Sequence, residues 1–147
     1  PANQGPTATN SPHQIIFGLA DSSSSSVTID ATGKVTWLKE GTYYVTQEYY
    51  LGGTQNNVLL SLFRTYDGSA QVGATHVENY RVQETADKTR VVINQMVNIT
   101  DAQVNSYHVY QMIRDSAGAN DGTLYKIANN NTWTVTPSAQ LTISKLI

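Results

Sequence analysis

The segment from Gly41 to Leu51 constrains the fold more than any other stretch of the chain. Its sequence, GTYYVTQEYYL, holds four of the nine tyrosines and alternates regularly between two sets of side chains. One set contains Tyr43 and Val45, and the other contains Tyr44 and Tyr50. Period-two alternation of aromatic and β-branched residues is typical of a β-strand. The segment therefore predicts a long strand with one side in a core and a second aromatic side that must meet solvent or be covered.

Similar short segments follow along the rest of the chain, separated by loops rich in Gly, Asp, Asn and Ser. The segment Val58–Tyr66 is the most apolar, and Ser106–Arg114 also carries apolar residues on both faces. No stretch shows the 3.6-residue period of a helix. We therefore expect an all-β protein, an antiparallel β-sandwich of about eight to ten strands. Residues 13–147 are predicted to form its single domain, and residues 1–12, rich in Pro, Asn and Thr, an arm or linker.

The polar surface is expected to consist mainly of uncharged side chains. Charged residues make up only 14% of the sequence and the net charge is −2, whereas 52 residues are Ser, Thr, Asn or Gln. Nucleic-acid binding is not expected, because it usually needs a basic face. The absence of cysteine excludes disulfides, zinc–thiolate sites and cysteine nucleophiles. No apolar run approaches the roughly 18 residues needed to span a bilayer, so membrane insertion is not expected either.

The side chains that could carry out catalysis or bind a metal are scattered along the sequence. The three histidines, at positions 13, 76 and 108, lie on separate segments without the short spacing of metal ligands. No serine stands in a Gly-x-Ser-x-Gly elbow, and most carboxylates lie in loops. The loop Asp115–Gly122 has the composition of a calcium-binding loop, but tight turns need the same residues. We expect no enzymatic activity, no cofactor and no bound metal.

The order of the motifs resembles that of a known fold family. The matching motifs are Gly33-Lys34-Val35-Thr36-Trp37 at the end of a hairpin, Gly41-x-Tyr43-x-Val45, the strand Val58–Phe63 and the last strand Gln140–Leu146. Over Gln14–Ile147 the chain is similar to the tumour-necrosis-factor-like jelly roll. That fold is shared by the heads of complement-type collagen-tailed proteins, and several viral spike and fibre heads are similar. Thr100-Asp101-Ala102 stands where the family often has Gly-Asp, so the chain resembles a divergent member.

The resemblance implies a homotrimer of jelly rolls in which one sheet of each subunit meets its neighbours. The second faces of the doubly apolar strands would then lie between subunits. The residues assigned to this interface are Tyr44, Tyr50, His108, Tyr110, Met112 and Leu146. For His108 the hypothesis is a position facing the three-fold axis, where converging imidazoles would make assembly sensitive to pH; an ordinary strand residue is the other interpretation, and it is the simpler one.

An exposed aromatic ring beside polar loop residues is typical of a site that binds a sugar or a receptor. Trp133, close to Asn130 and Asn131, is the candidate for such a ligand loop. A core position beneath the last strand is the other interpretation of Trp133, and it is the simpler one.

The expected function is that of a non-enzymatic viral structural protein on the virion surface. A trimeric spike head, fibre head or decoration protein would attach to the capsid through residues 1–12. Its loops would contact a host surface glycan or protein, and three copies would strengthen a weak contact. Two alternatives remain: the head of a collagen-tailed cell-surface or extracellular recognition protein, and a carbohydrate-binding module of a larger enzyme.

Overall fold

The structure is a computed structural model that describes residues 2–84, 86–115, 120–127 and 136–147. These residues form ten β-strands and one short 3₁₀ turn. The strands are β1 His13–Gln14, β2 Val27–Ile29, β3 Val35–Trp37, β4 Gly41–Gly52, β5 Val58–Tyr66, β6 Gln71–Arg81, β7 Thr89–Ile99, β8 Tyr107–Arg114, β9 Thr123–Leu124 and β10 Ala139–Lys145.

The strands pair into two antiparallel sheets that pack face to face. The six-stranded sheet has the order β2-β3-β8-β5-β6, with β1 paired to β8. The four-stranded sheet has the order β10-β4-β7, with β9 paired to β4. The chain changes sheets between β3 and β4, between β4 and β5, between β6 and β7, between β7 and β8, and again between β8 and β9. The predicted all-β antiparallel sandwich is confirmed.

The core lies between the two sheets and follows the alternation seen in the sequence. Along β4 every second side chain from Tyr43 to Leu51 is buried, as predicted for one face of this strand. Aromatic rings connect the sheets: the Trp37 ring centroid lies 4.7 Å from that of Tyr43, and Tyr49 stacks on Phe63 at 5.1 Å. Such ring pairs stabilise the core beyond the burial of their surface.

Residues 2–12 pack against the sandwich instead of forming a separate arm or linker. Gln4 and Leu124 of β9 exchange two backbone hydrogen bonds, of 3.0 and 2.7 Å. Further along the segment, the Asn10 N–H donates to the Arg114 carbonyl at 2.8 Å. The predicted boundary at residue 12 is therefore corrected, because the polar backbone and side chains of this segment find their hydrogen-bond partners within the domain.

Helical structure among the described residues is limited to the 3₁₀ turn Asp101–Gln103 between β7 and β8. The backbone N–H of Thr100 donates to the Gln103 side chain at 2.9 Å, which supports the start of the turn. Among all the residues that the structure describes, no helix has the length and apolar character needed to cross a membrane.

Candidate functional site

The outward face of the four-stranded sheet exposes three large apolar side chains close together in the strand register. Tyr44 on β4 is aligned with Met96 on β7 and with Ser144 on β10. Tyr44 is 39% exposed and Met96 is 56% exposed. Leu146 follows β10, is 55% exposed, and donates its backbone N–H to the Thr42 carbonyl at 2.8 Å. We call Tyr44, Met96 and Leu146 the Tyr44 patch.

The remainder of this sheet face is mainly polar, although Val92 on β7, aligned with Glu48, is 37% exposed. In its centre the Thr46 hydroxyl donates to Asn94 Oδ1 at 2.9 Å. At the end opposite the Tyr44 patch, Glu48 forms an ion pair with Arg90, and half-buried Tyr50 is aligned with Arg90. The face therefore has an apolar end, an uncharged centre and an end where opposite charges compensate each other.

Three residues predicted to lie between subunits are buried within a single chain. Tyr110, Met112 and His108 are 0%, 1% and 4% exposed. The pairing of β8 with β5 aligns Met112 with the buried Phe63, so this face of β8 points between the sheets. On the same face the edge of the His108 ring meets the Trp37 ring, with 5.4 Å between the ring centroids. Their assignment to a subunit interface, and that of His108 to a three-fold axis, is therefore corrected.

Burial controls the protonation of this part of the core. It lowers the pKa of His108, and the Asp67 carboxylate acts weakly in the opposite direction. Burial also raises the pKa of the Tyr110 hydroxyl well above its ordinary value. Both side chains are thus kept neutral at neutral pH, because a charged form would lose its hydration in the core.

The predicted ligand loop lies outside the described residues. Trp133, Asn130 and Asn131 all fall in 128–135, so their role and the choice between core and surface for Trp133 stay predictions.

The loop with calcium-like composition is described in part, and Asp121 belongs to that part. The buried Asp121 carboxylate accepts hydrogen bonds from the Thr54 N–H at 2.8 Å and from Asn57 Nδ2 at 3.0 Å. Within the described ranges, no three His, Asp or Glu side chains are grouped so as to hold a metal ion. Asp121 therefore ties two loops together through protein donors.

A cleft that the sequence reasoning did not identify opens where the edge strands β6 and β7 lie opposite each other. Its volume is about 370 Å³, and β4, β5, β6 and β7 all contribute to its walls. One feature of the sequence indicates the cleft: among the inward-facing side chains of β4, Gln47 alone carries an amide.

Comparison with known proteins adds no relative: no family model matches the chain, and no curated protein shows significant similarity to it.

Proposed function

We propose that this chain is a non-enzymatic, homotrimeric head of a viral surface structure, either a spike or fibre head or a decoration protein. It acts by binding, and its subunits meet through the outward face of the four-stranded sheet. The observation that carries the proposal is the Tyr44 patch, in which a tyrosine, a methionine and a leucine stand exposed on neighbouring positions.

The arrangement of the patch favours a protein partner over solvent. Single exposed apolar side chains are common on protein surfaces, but contiguous ones mark interaction sites. Tyr and Met are also enriched at protein–protein interfaces. The uncharged centre of the same face and the paired Glu48 and Arg90 allow the rest of the sheet to approach a second copy without an uncompensated charge.

A trimer would turn weak contacts into firm attachment. Three identical surfaces held in one particle raise the effective concentration of each binding site for the next contact. Because residues 2–12 pack on the domain, capsid attachment would use them as part of the head surface and not as a free tether.

A lysine at the Tyr44 patch tests the interface. Met96→Lys should leave the single chain folded, since Met96 is 56% exposed. In the trimer the new ammonium would be buried without a partner, at a cost of about 3–5 kcal/mol per subunit, and the trimer should dissociate at micromolar concentration. Sedimentation velocity measures the change directly.

Val77→Lys is the matched control, because Val77 lies on the six-stranded sheet and is 53% exposed. The proposal expects the control to remain trimeric. A trimeric Met96→Lys variant would refute the interface, and dissociation by Val77→Lys alone would place the interface on the other sheet.

The two alternatives differ in their assembly. The head of a collagen-tailed recognition protein would share the trimer, and only its attachment to a stalk separates it from the viral head. A carbohydrate-binding module of a larger enzyme would be a monomer in the same sedimentation experiment.

A further inference from the structure

The cleft between β6 and β7 is a preformed cavity at the open side of the sandwich. Phe63 and Ile93 supply apolar surface, and Gln47, Thr65, His76 and Gln95 supply polar groups. Its volume of about 370 Å³ lies at the small end of the range of known ligand sites. A pocket of this size, with both apolar surface and hydrogen-bonding groups in its walls, can hold one ring of a polar small molecule.

A glycine keeps the cleft open. Gly73 on β6 has a φ of +77°, which favours glycine, and a Cβ at this position would lie 2.8 Å from Gln95 Nε2. Any larger residue would therefore strain the backbone and push into the wall formed by Gln95.

Gln47 offers the cleft an unused hydrogen-bond donor. The residue is only 3% exposed, and its Oε1 accepts the Tyr49 hydroxyl at 2.5 Å. Its Nε2 has no hydrogen-bond partner among the residues that the structure describes. Nε2 is not one of the fully buried polar atoms that lack a partner, so water reaches it from the cleft, and a ligand oxygen would take the place of that water.

Thr65 on one sheet and Gln95 on the other add groups that both donate and accept. The Thr65 hydroxyl donates to Gln95 Oε1 at 3.0 Å, which leaves lone pairs of the hydroxyl oxygen for a ligand donor. Gln95 Nε2 makes only a long contact, of 3.4 Å, with the Val72 carbonyl. Ligand hydroxyls, which both donate and accept, match this set.

The charges near the cleft are engaged elsewhere. Arg64 Nε donates to Gln111 Oε1 at 2.8 Å, and its guanidinium lies over the Tyr66 ring at 4.5 Å, on the outward side of the six-stranded sheet. His76 lies 3.1 Å from the Glu78 carboxylate. The cleft thus presents neutral hydrogen-bonding groups beside apolar surface, which favours an uncharged ligand.

We propose that this cleft binds a neutral pyranose ring of a glycan. Gln47 Nε2 would donate to a ring hydroxyl, and the C–H face of the ring would lie against Ile93. The inference deepens the proposed recognition role by naming a ligand class, but the site is built within one chain and does not need the trimer.

A titration with methyl glycosides of glucose, galactose, mannose and N-acetylglucosamine tests the site. The side-chain amide signals of Gln47 and Gln95 are followed by ¹⁵N-resolved NMR up to about 20 mM glycoside, since a small neutral ligand binds weakly. We expect at least one glycoside to shift both signals saturably. Absence of a saturable shift with all four, or binding only of the charged methyl glycoside of N-acetylneuraminic acid, would overturn the proposal.

A blocking variant localises the binding. Ala74 lines the cleft and is exposed, so Ala74→Trp should fill the opening without disturbing the core and weaken binding by about tenfold or more. Asn79→Trp, on the exposed part of the same strand and outside the cleft, should bind like wild type. Equal affinities of the two variants would also overturn the proposal. Neither result depends on the sedimentation of Met96→Lys, so failure of the cleft and failure of the trimer are distinguishable.

Discussion

The hydrogen bonds of Gln4 provide a quantitative test of whether residues 2–12 belong to the domain. Gln4 Oε1 accepts from the Ile16 N–H at 2.8 Å, and Gln4 Nε2 donates to the Ile16 carbonyl at 2.7 Å. The side-chain amide thus pairs with the backbone as a neighbouring strand would. Nε2 also reaches Ser138 Oγ at 3.2 Å.

Replacing Gln4 by Ala removes these contacts but keeps the backbone pairing with Leu124. Each of the two hydrogen bonds to Ile16 contributes about 1 kcal/mol net, and Ile16 is exposed enough for water to replace part of the loss. We therefore expect the free energy of unfolding to fall by about 2 kcal/mol. For a domain of this size that lowers Tm by about 4–8 °C.

Urea unfolding of wild type and Gln4→Ala measures the change, at one protein concentration because assembly would add to stability. Thr7→Ala, an exposed change in the same segment, serves as the control and should stay within about 0.5 kcal/mol of wild type. A Gln4→Ala variant as stable as Thr7→Ala would show that the segment is not held by these bonds and that the reasoning is wrong.

Three further predictions concern the sheet face, the core and the loops. Tyr50→Lys places a second cation beside Arg90, and because the interface would bury it without a partner, the variant should sediment as a monomer. A stable trimer of this variant would mean that this end of the sheet face is exposed to solvent. Because burial lowers the pKa of His108 in the folded chain, the unfolded chain binds more protons below about pH 6.5, so stability falls as pH falls. In thermal melts, His108→Gln should reduce the fall in Tm between about pH 7 and pH 5. An equal fall in Tm for the variant and the wild type would mean that other titrating groups cause it. Calcium and a chelator should give the same Tm, because Asp121 is already bonded to protein donors; a higher Tm with calcium would reveal a site.

The long strand illustrates what local pattern predicts well. The inward set of β4 follows from alternation alone, because side chains on a strand point to opposite faces with a period of two. The structure buries Tyr43, Val45 and Tyr49 as that pattern requires and leaves Tyr44 outside.

Strand β8 illustrates where the pattern fails. Tyr110 and Met112 on one face and Val109 and Ile113 on the other are all apolar, so alternation cannot choose the core side. The register with β5 decides it by aligning Met112 with Phe63, and that register is a long-range property.

The segment 2–12 and the cleft were missed for a related reason. The bonds of Gln4 reach Ile16, Leu124 and Ser138, and no local period encodes partners so distant in sequence. The cleft is formed by strand edges that meet only in the folded sandwich. The polar Gln47 within an apolar set was its one local sign, and without the neighbouring strands its free amide could not be recognised.

The central claim, that the chain works as a trimeric binding head, is tested most directly by sedimentation equilibrium of the wild-type protein over a range of micromolar concentrations. The account predicts a species of three times the 16.1 kDa chain mass, independent of concentration in that range. A particle of 16.1 kDa at every concentration would contradict it.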